Sequence, residues 1–90
     1  AIPESVELLQ NYPNPFNAST VIRYEIPDAA NVTLTVYNTN GQAVATLQSG
    51  LQEAGRHEIQ WNAADVASGI YVYVLKYNEK TLARKMILIH

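Results

Sequence analysis

From Ser19 onward, apolar and polar side chains alternate one by one in short runs, the period of a pleated strand that buries a single face. Ile22, Tyr24 and Ile26 fall on one parity and Arg23 and Glu25 on the other. Val32, Leu34 and Val36 repeat the pattern against Thr33 and Thr35, and the Asn40-Gly41 pair that follows suits a tight turn needing positive φ. Val44 and Leu47 lead to Gly50 and Gly55, which bracket another short connection. His57, Ile59 and Trp61 then share one face. The small, polar stretch from Asn62 to Ser68 reads as a loop long enough to cross between sheets. Beyond it, Gly69 to Leu75 is apolar on both parities, with Tyr71, Tyr73 and Leu75 on one and Ile70, Val72 and Val74 on the other. That pattern predicts a central strand covered on both sides. Asn78-Glu79 turns into a last strand, Thr81 to Ile89, carrying Met86 and Leu88.

A strand about every ten residues is the spacing of a sandwich. The predicted fold class is all-β: an immunoglobulin-like β-sandwich of about seven antiparallel strands in two sheets. The expected core is Ile22, Tyr24, Leu34, Val36, Ile59, Trp61, Tyr73, Leu75 and Leu88. Tyr37 and Tyr77 are expected to be exposed. Ahead of the regular part, Val6 and Leu8 suggest a short first strand. The run Asn11-Tyr12-Pro13-Asn14-Pro15-Phe16-Asn17 then interrupts it, because each proline lacks an amide donor and keeps the preceding residue extended. Tyr12 and Phe16 of this stiff loop are expected to dock on the end of the sandwich.

Ninety residues with 48% hydrophobic content suit one domain, since a chain of this size buries only roughly 60% of its unfolded surface. Residues 1–90 are therefore read as one unit, with 1–5 as the end of an upstream linker. Without cysteine, neither disulfides nor thiolate-bound zinc can hold the fold, and packing must. No apolar run spans a bilayer, and Ala1 to Gln10 lacks the basic start and apolar stretch of a secretory signal, which is expected upstream.

Charge is unevenly placed. Up to Leu75 the basic side chains are Arg23 and Arg56 against seven acidic ones; from Lys76 to the end, Lys76, Lys80, Arg84 and Lys85 face Glu79 alone. Four cations are too few for a stripe of phosphate contacts, so no nucleic-acid partner is expected.

Catalytic chemistry is poorly supplied. His57 and His90 have no companion at metal-ligand spacing. Asp28 and Asp65 sit in separate predicted loops, and Glu25, Glu53 and Glu58 read as solvent-facing. The four glycines are isolated turn residues, not a phosphate cradle. No enzyme, cofactor or metal is expected. Trp61, Tyr71 and Tyr73 could form a sugar-stacking platform in a carbohydrate-binding accessory module of a secreted enzyme, but their parity turns them inward.

The order of punctuating residues resembles the type A C-terminal sorting domains of type IX secretion cargo. Leu8 to Asn17, containing Tyr12-Pro13-Asn14-Pro15-Phe16-Asn17, is the most specific block. Ser19 to Pro27, Val32 to Asn38, Gly41 to Val44, Ala54 to Trp61, Gly69-Ile70-Tyr71-Val72-Tyr73 and Lys85-Met86-Ile87-Leu88 are similar to the blocks that follow. Ala18, Val6 and Asn62-Ala63 depart from it, where a proline, a phenylalanine and an aspartate-glycine pair are usual. The resemblance implies a non-catalytic export label behind an upstream cargo domain, engaged by an outer-membrane translocon and often removed by a sortase-like protease, leaving cargo at the surface or outside the cell. An exposed basic last hairpin, Lys76, Lys80, Arg84 and Lys85, together with its open strand edge, is the expected recognition feature. A structural immunoglobulin-like domain related to flagellar hook-capping proteins shares the hairpins, without the proline block.

Overall fold

The computed structural model describes residues 4–89. The expected linker end at 1–5 therefore falls partly, at 1–3, outside the described residues, as does His90. Seven strands account for the regular structure of the described chain: β1 (Glu7–Leu8), β2 (Ser19–Ile26), β3 (Ala30–Tyr37), β4 (Ala43–Gln52), β5 (Gly55–Asn62), β6 (Gly69–Tyr77) and β7 (Lys80–Leu88). They form two antiparallel sheets, β1-β2-β5 and β4-β3-β6-β7. The all-β sandwich expected from the alternation is the observed architecture. The immunoglobulin constant-type sandwich divides its strands four and three in a similar way.

Alternation sets which residues meet between the sheets. Ile22, Tyr24 and Ile26 from β2 meet Val32, Leu34 and Val36 from β3 and Tyr71, Tyr73 and Leu75 from β6, all buried with Met86 and Leu88 of β7. Each large apolar side chain so placed contributes about 1.5–3 kcal/mol relative to exposure. Trp61 closes one end with 5% exposure. Phe16 lies against it at a ring separation of 5.9 Å, and Tyr71 meets it edge-on at 5.8 Å.

Several expectations are corrected. Ile59 is half-buried and packs against the core from its margin, because β5 is an edge strand with nothing on its far side. Tyr77 is buried, continuing the parity of Tyr71, Tyr73 and Leu75. The outer face of β6 is uncovered: Ile70 is 44% exposed and Val72 and Val74 are half-buried. Centrality within the sheet, between β3 and β7, accounts for the apolar run instead.

Gly50 does not sit in a connection. It lies within β4 opposite Val32, next to register shifts near Leu34/Thr35, with φ +131 and open space where a Cβ would point. The true connection is Glu53-Ala54, and it crosses from one sheet to the other. The β3–β4 turn is built on Asn38, whose Oδ1 accepts from the Asn40 and Gln42 N–H groups at 3.0 Å each. Only Gly41, at φ +81, uses the left-handed region there. Asn78, at φ +52, turns β6 into β7.

Candidate functional site

The proline block is where the chain passes from one sheet to the other. Leu9 and Tyr12 still bond to β2: the Leu9 N–H donates to the Arg23 carbonyl, and Tyr12 and Val21 exchange both bonds. Four residues later the chain has reached β7, where Phe16 pairs with Leu88 in parallel. The Phe16 N–H donates to the Ile87 carbonyl at 2.9 Å, and its carbonyl accepts from the Ile89 N–H at 2.8 Å. Both X-Pro bonds between these points, Tyr12-Pro13 and Asn14-Pro15, are cis.

A buried polar network fixes the crossing. The Asn11 amide nitrogen donates to Thr20 Oγ1 at 3.0 Å and to the Pro13 carbonyl at 3.1 Å, and Thr20 Oγ1 donates to the same carbonyl. The Asn11 backbone N–H donates to the Tyr73 hydroxyl at 2.8 Å, and that hydroxyl donates to the Leu9 carbonyl at 2.7 Å. Burial raises the phenol pKa of Tyr73, against opposite pulls from the Asn11 bond and the Arg84 charge. Gln10 donates to Asn11 Oδ1 and to the Lys85 carbonyl, and Asn14 Oδ1 accepts from the Ile87 N–H. The bonding roles of Gln10, Asn11 and Thr20 are not legible in the sequence. Their partners are up to 75 positions away, and only the asparagine and threonine among buried apolar residues hinted at them.

The motif thus splits by role. Phe16 is 1% exposed and Asn11 3% exposed, whereas Tyr12, expected to dock on the sandwich end, is 73% exposed. Its backbone is held by β2 while the ring stands in solvent. Pro13, Asn14, Pro15 and Asn17 are exposed as well. Of the later motif residues, Met86 is fully buried, Tyr71 is buried with its hydroxyl donating to the Ala67 carbonyl, and Gly69 opens β6.

The four basic residues of the last hairpin are all exposed, but they divide between two faces. Register places Lys76 opposite Thr81, and Lys85 opposite Val72, on the outer face of the four-stranded sheet. Lys80 and Arg84 stand opposite Tyr77 and Tyr73 on the other parity. Arg84 is also a tether, its Nε donating to the Leu8 carbonyl at 2.6 Å. The strand edge beside them, expected to be open, is instead occupied from Lys85 to Ile89 by Gln10, Asn14 and Phe16.

Elsewhere the surface offers little chemistry. Arg23, Glu25, Arg56 and Glu58 surround a shallow cleft of about 320 Å³ floored by Tyr24 and His57. Its charges oppose one another in register, Arg23 to Glu58 and Glu25 to Arg56, the latter pair 3.2 Å apart. His57 stacks on Tyr24 and contacts the Glu53 carbonyl through Nε2. Among the described residues, no cluster of three His, Cys, Asp or Glu could hold a metal. Trp61, Tyr71 and Tyr73 are packed inside and present no stacking platform.

Residues 10–89 match the family described as "Secretion system C-terminal sorting domain". No curated protein matches the chain. Among solved structures, PorZ of Porphyromonas gingivalis, an essential bacterial surface component of the type-IX secretion system, aligns with TM-score 0.65 and 24% identity over 90% of this chain and 11% of its own. Dimeric latent PorU from Porphyromonas gingivalis aligns with TM-score 0.69 and 20% identity over 99% of this chain and 10% of its own. A conjugative transposon lipoprotein from Bacteroides eggerthii aligns with TM-score 0.53 and 14% identity over 96% of each chain. At these identities the likeness is one of fold. The chain spans about a tenth of the length of the PorZ and PorU chains it matches.

Proposed function

This chain belongs to the secretion system C-terminal sorting domain family and is a type IX secretion sorting domain, and on that premise we propose that an outer-membrane translocon engages it through the basic β6–β7 hairpin. The observation that carries this reading is the segregation of charge. Lys76, Lys80, Arg84 and Lys85 are exposed together on one hairpin, while the rest of the chain is acidic. Opposite charges on the two partners speed encounter and fix orientation more than they add affinity. In this reading residues 1–90 form one sorting unit behind a cargo domain. The unit is non-catalytic and is cut away by a sortase-like protease after export, leaving the cargo on the surface or outside the cell.

The test is a fluorescent reporter carried between a secretory signal peptide and residues 1–90, in hosts with and without the type IX system. The expected outcome is export only in the competent host, abolished by the double substitution Lys80→Glu and Lys85→Glu with the fold retained. Normal export of that variant overturns the electrostatic reading.

A further inference from the structure

Ile87 and Ile89 turn their backbone groups away from β6 toward Asn14 and Phe16, and Lys85 turns its carbonyl toward Gln10. In an antiparallel pair, bonding to the neighbour alternates residue by residue. Thr81, Ala83 and the Lys85 N–H therefore point outward too, and among the described residues no hydrogen bond reaches them. The proline block thus seals the far end of this edge, whereas at the near end β1 approaches and Arg84 holds the Leu8 carbonyl, but Thr81 and Ala83 are exposed with their outward backbone groups unbonded.

Three long strands lie at sheet edges: β4, β5 and β7. β4 carries no charged side chain and its pairing is broken by register shifts. β5 presents Arg56 and Glu58 on its outer face, one of them already in an ion pair. Only β7 combines an open stretch with charge of a single sign. Two copies cannot pair there without bringing their cations together, which is how sheet edges avoid self-association.

We propose that the open stretch of β7, Thr81 to Lys85, accepts an extended acidic segment of the translocation machinery as a fifth strand of the four-stranded sheet. This rests on the sorting-domain reading and adds its mode of recognition. Backbone bonds to Thr81, Ala83 and Lys85 supply the pairing, as in other cases of strand addition. Side-chain parity supplies the selection. A strand laid there has Lys80 and Arg84 beside one face and Lys85 beside the other, with half-buried Leu82 between the first two. The fitting segment carries acidic side chains at i and i+4 around an apolar one at i+2 on one face, and a further acidic one on the other face.

The probe is a synthetic six-residue peptide with glutamate at its first, second and sixth positions, valine at the fourth and threonine at the third and fifth, so that one face meets Arg84, Leu82 and Lys80 and the other Lys85. It is compared with the same peptide N-methylated at every second amide. The first is expected to slow hydrogen exchange at the Thr81, Ala83 and Lys85 amides by about tenfold or more, and the N-methylated form to bind at least about tenfold more weakly. Equal binding of both overturns strand addition while leaving charge recognition standing, and binding of neither overturns strand addition outright. In the chain itself, Ala83→Pro removes an outward amide at no cost to the β6 ladder, a position where edge strands accept proline, and keeps every cation. If this variant shows the parent's Trp61 emission, it should lose peptide binding and reporter export. Normal export by such a folded variant refutes the proposal, and if the variant does not fold, the peptide comparison decides.

Discussion

Phe16 brackets Leu88: its N–H bonds to the residue before Leu88 and its carbonyl to the residue after, while its ring reaches Trp61 across the end of the core. One residue of the proline block therefore ties the last strand, the block itself and the tryptophan end together. Phe16→Ala removes the ring and leaves a cavity beside Trp61 at the end of the core. It should cost about 3–5 kcal/mol, a large share of the about 5–15 kcal/mol typical of a domain, measured as a lowered urea midpoint.

Tyr73→Phe keeps the packing but strips the hydroxyl that accepts from Asn11 and donates to Leu9. The buried Asn11 N–H and the half-buried Leu9 carbonyl lose their partner, at about 1–3 kcal/mol. Hydrogen exchange at the Asn11 amide should speed up while amides of β3 stay protected.

Tyr24, Tyr73 and Tyr77 all hold their protons above the ordinary phenol value of 10.0, chiefly through burial, with the Asp28 carboxylate adding to the effect at Tyr77. The unfolded chain then releases these protons first. Their stabilising contribution is complete below about pH 10 and drains away as pH climbs from there through the raised folded values. Urea midpoints should be flat from neutral pH to about 9.5 and fall beyond 10. Absorbance titration of the six tyrosines should show a late-ionising set that shrinks to Tyr24 alone in Tyr73→Phe/Tyr77→Phe.

Gly50 occupies a backbone region that L side chains rarely adopt, with no steric neighbour at its Cβ position. Gly50→Ala should therefore cost about 1–3 kcal/mol from backbone strain alone, whereas Ser49→Ala beside it should be near neutral. Thermal melts of the two variants separate strain from ordinary surface substitution.

Periodicity made the interior legible in advance: Ile22, Tyr24, Leu34, Val36, Tyr73 and Leu75 are buried because alternate positions of a strand share a face. The same rule extended one step further would have placed Tyr77 inside. It could not place Tyr12, since a proline-interrupted segment has no period from which to read a facing. Nor could it separate a hairpin from the Glu53-Ala54 crossing, because a two-residue connection looks alike in both. The network of Gln10, Asn11, Thr20 and Tyr73 lay beyond local patterns, as its bonds depend on where distant segments meet.

The tether from Arg84 to Leu8, with Gln10 and Phe16 beside it, also sets how the molecule answers a pull. Tension between the first strand and the last travels through these bonds and need not pass through the apolar interior. Under load the early chain would peel from β7 before the two sheets part, so the sandwich can yield at its seam while its centre stays intact.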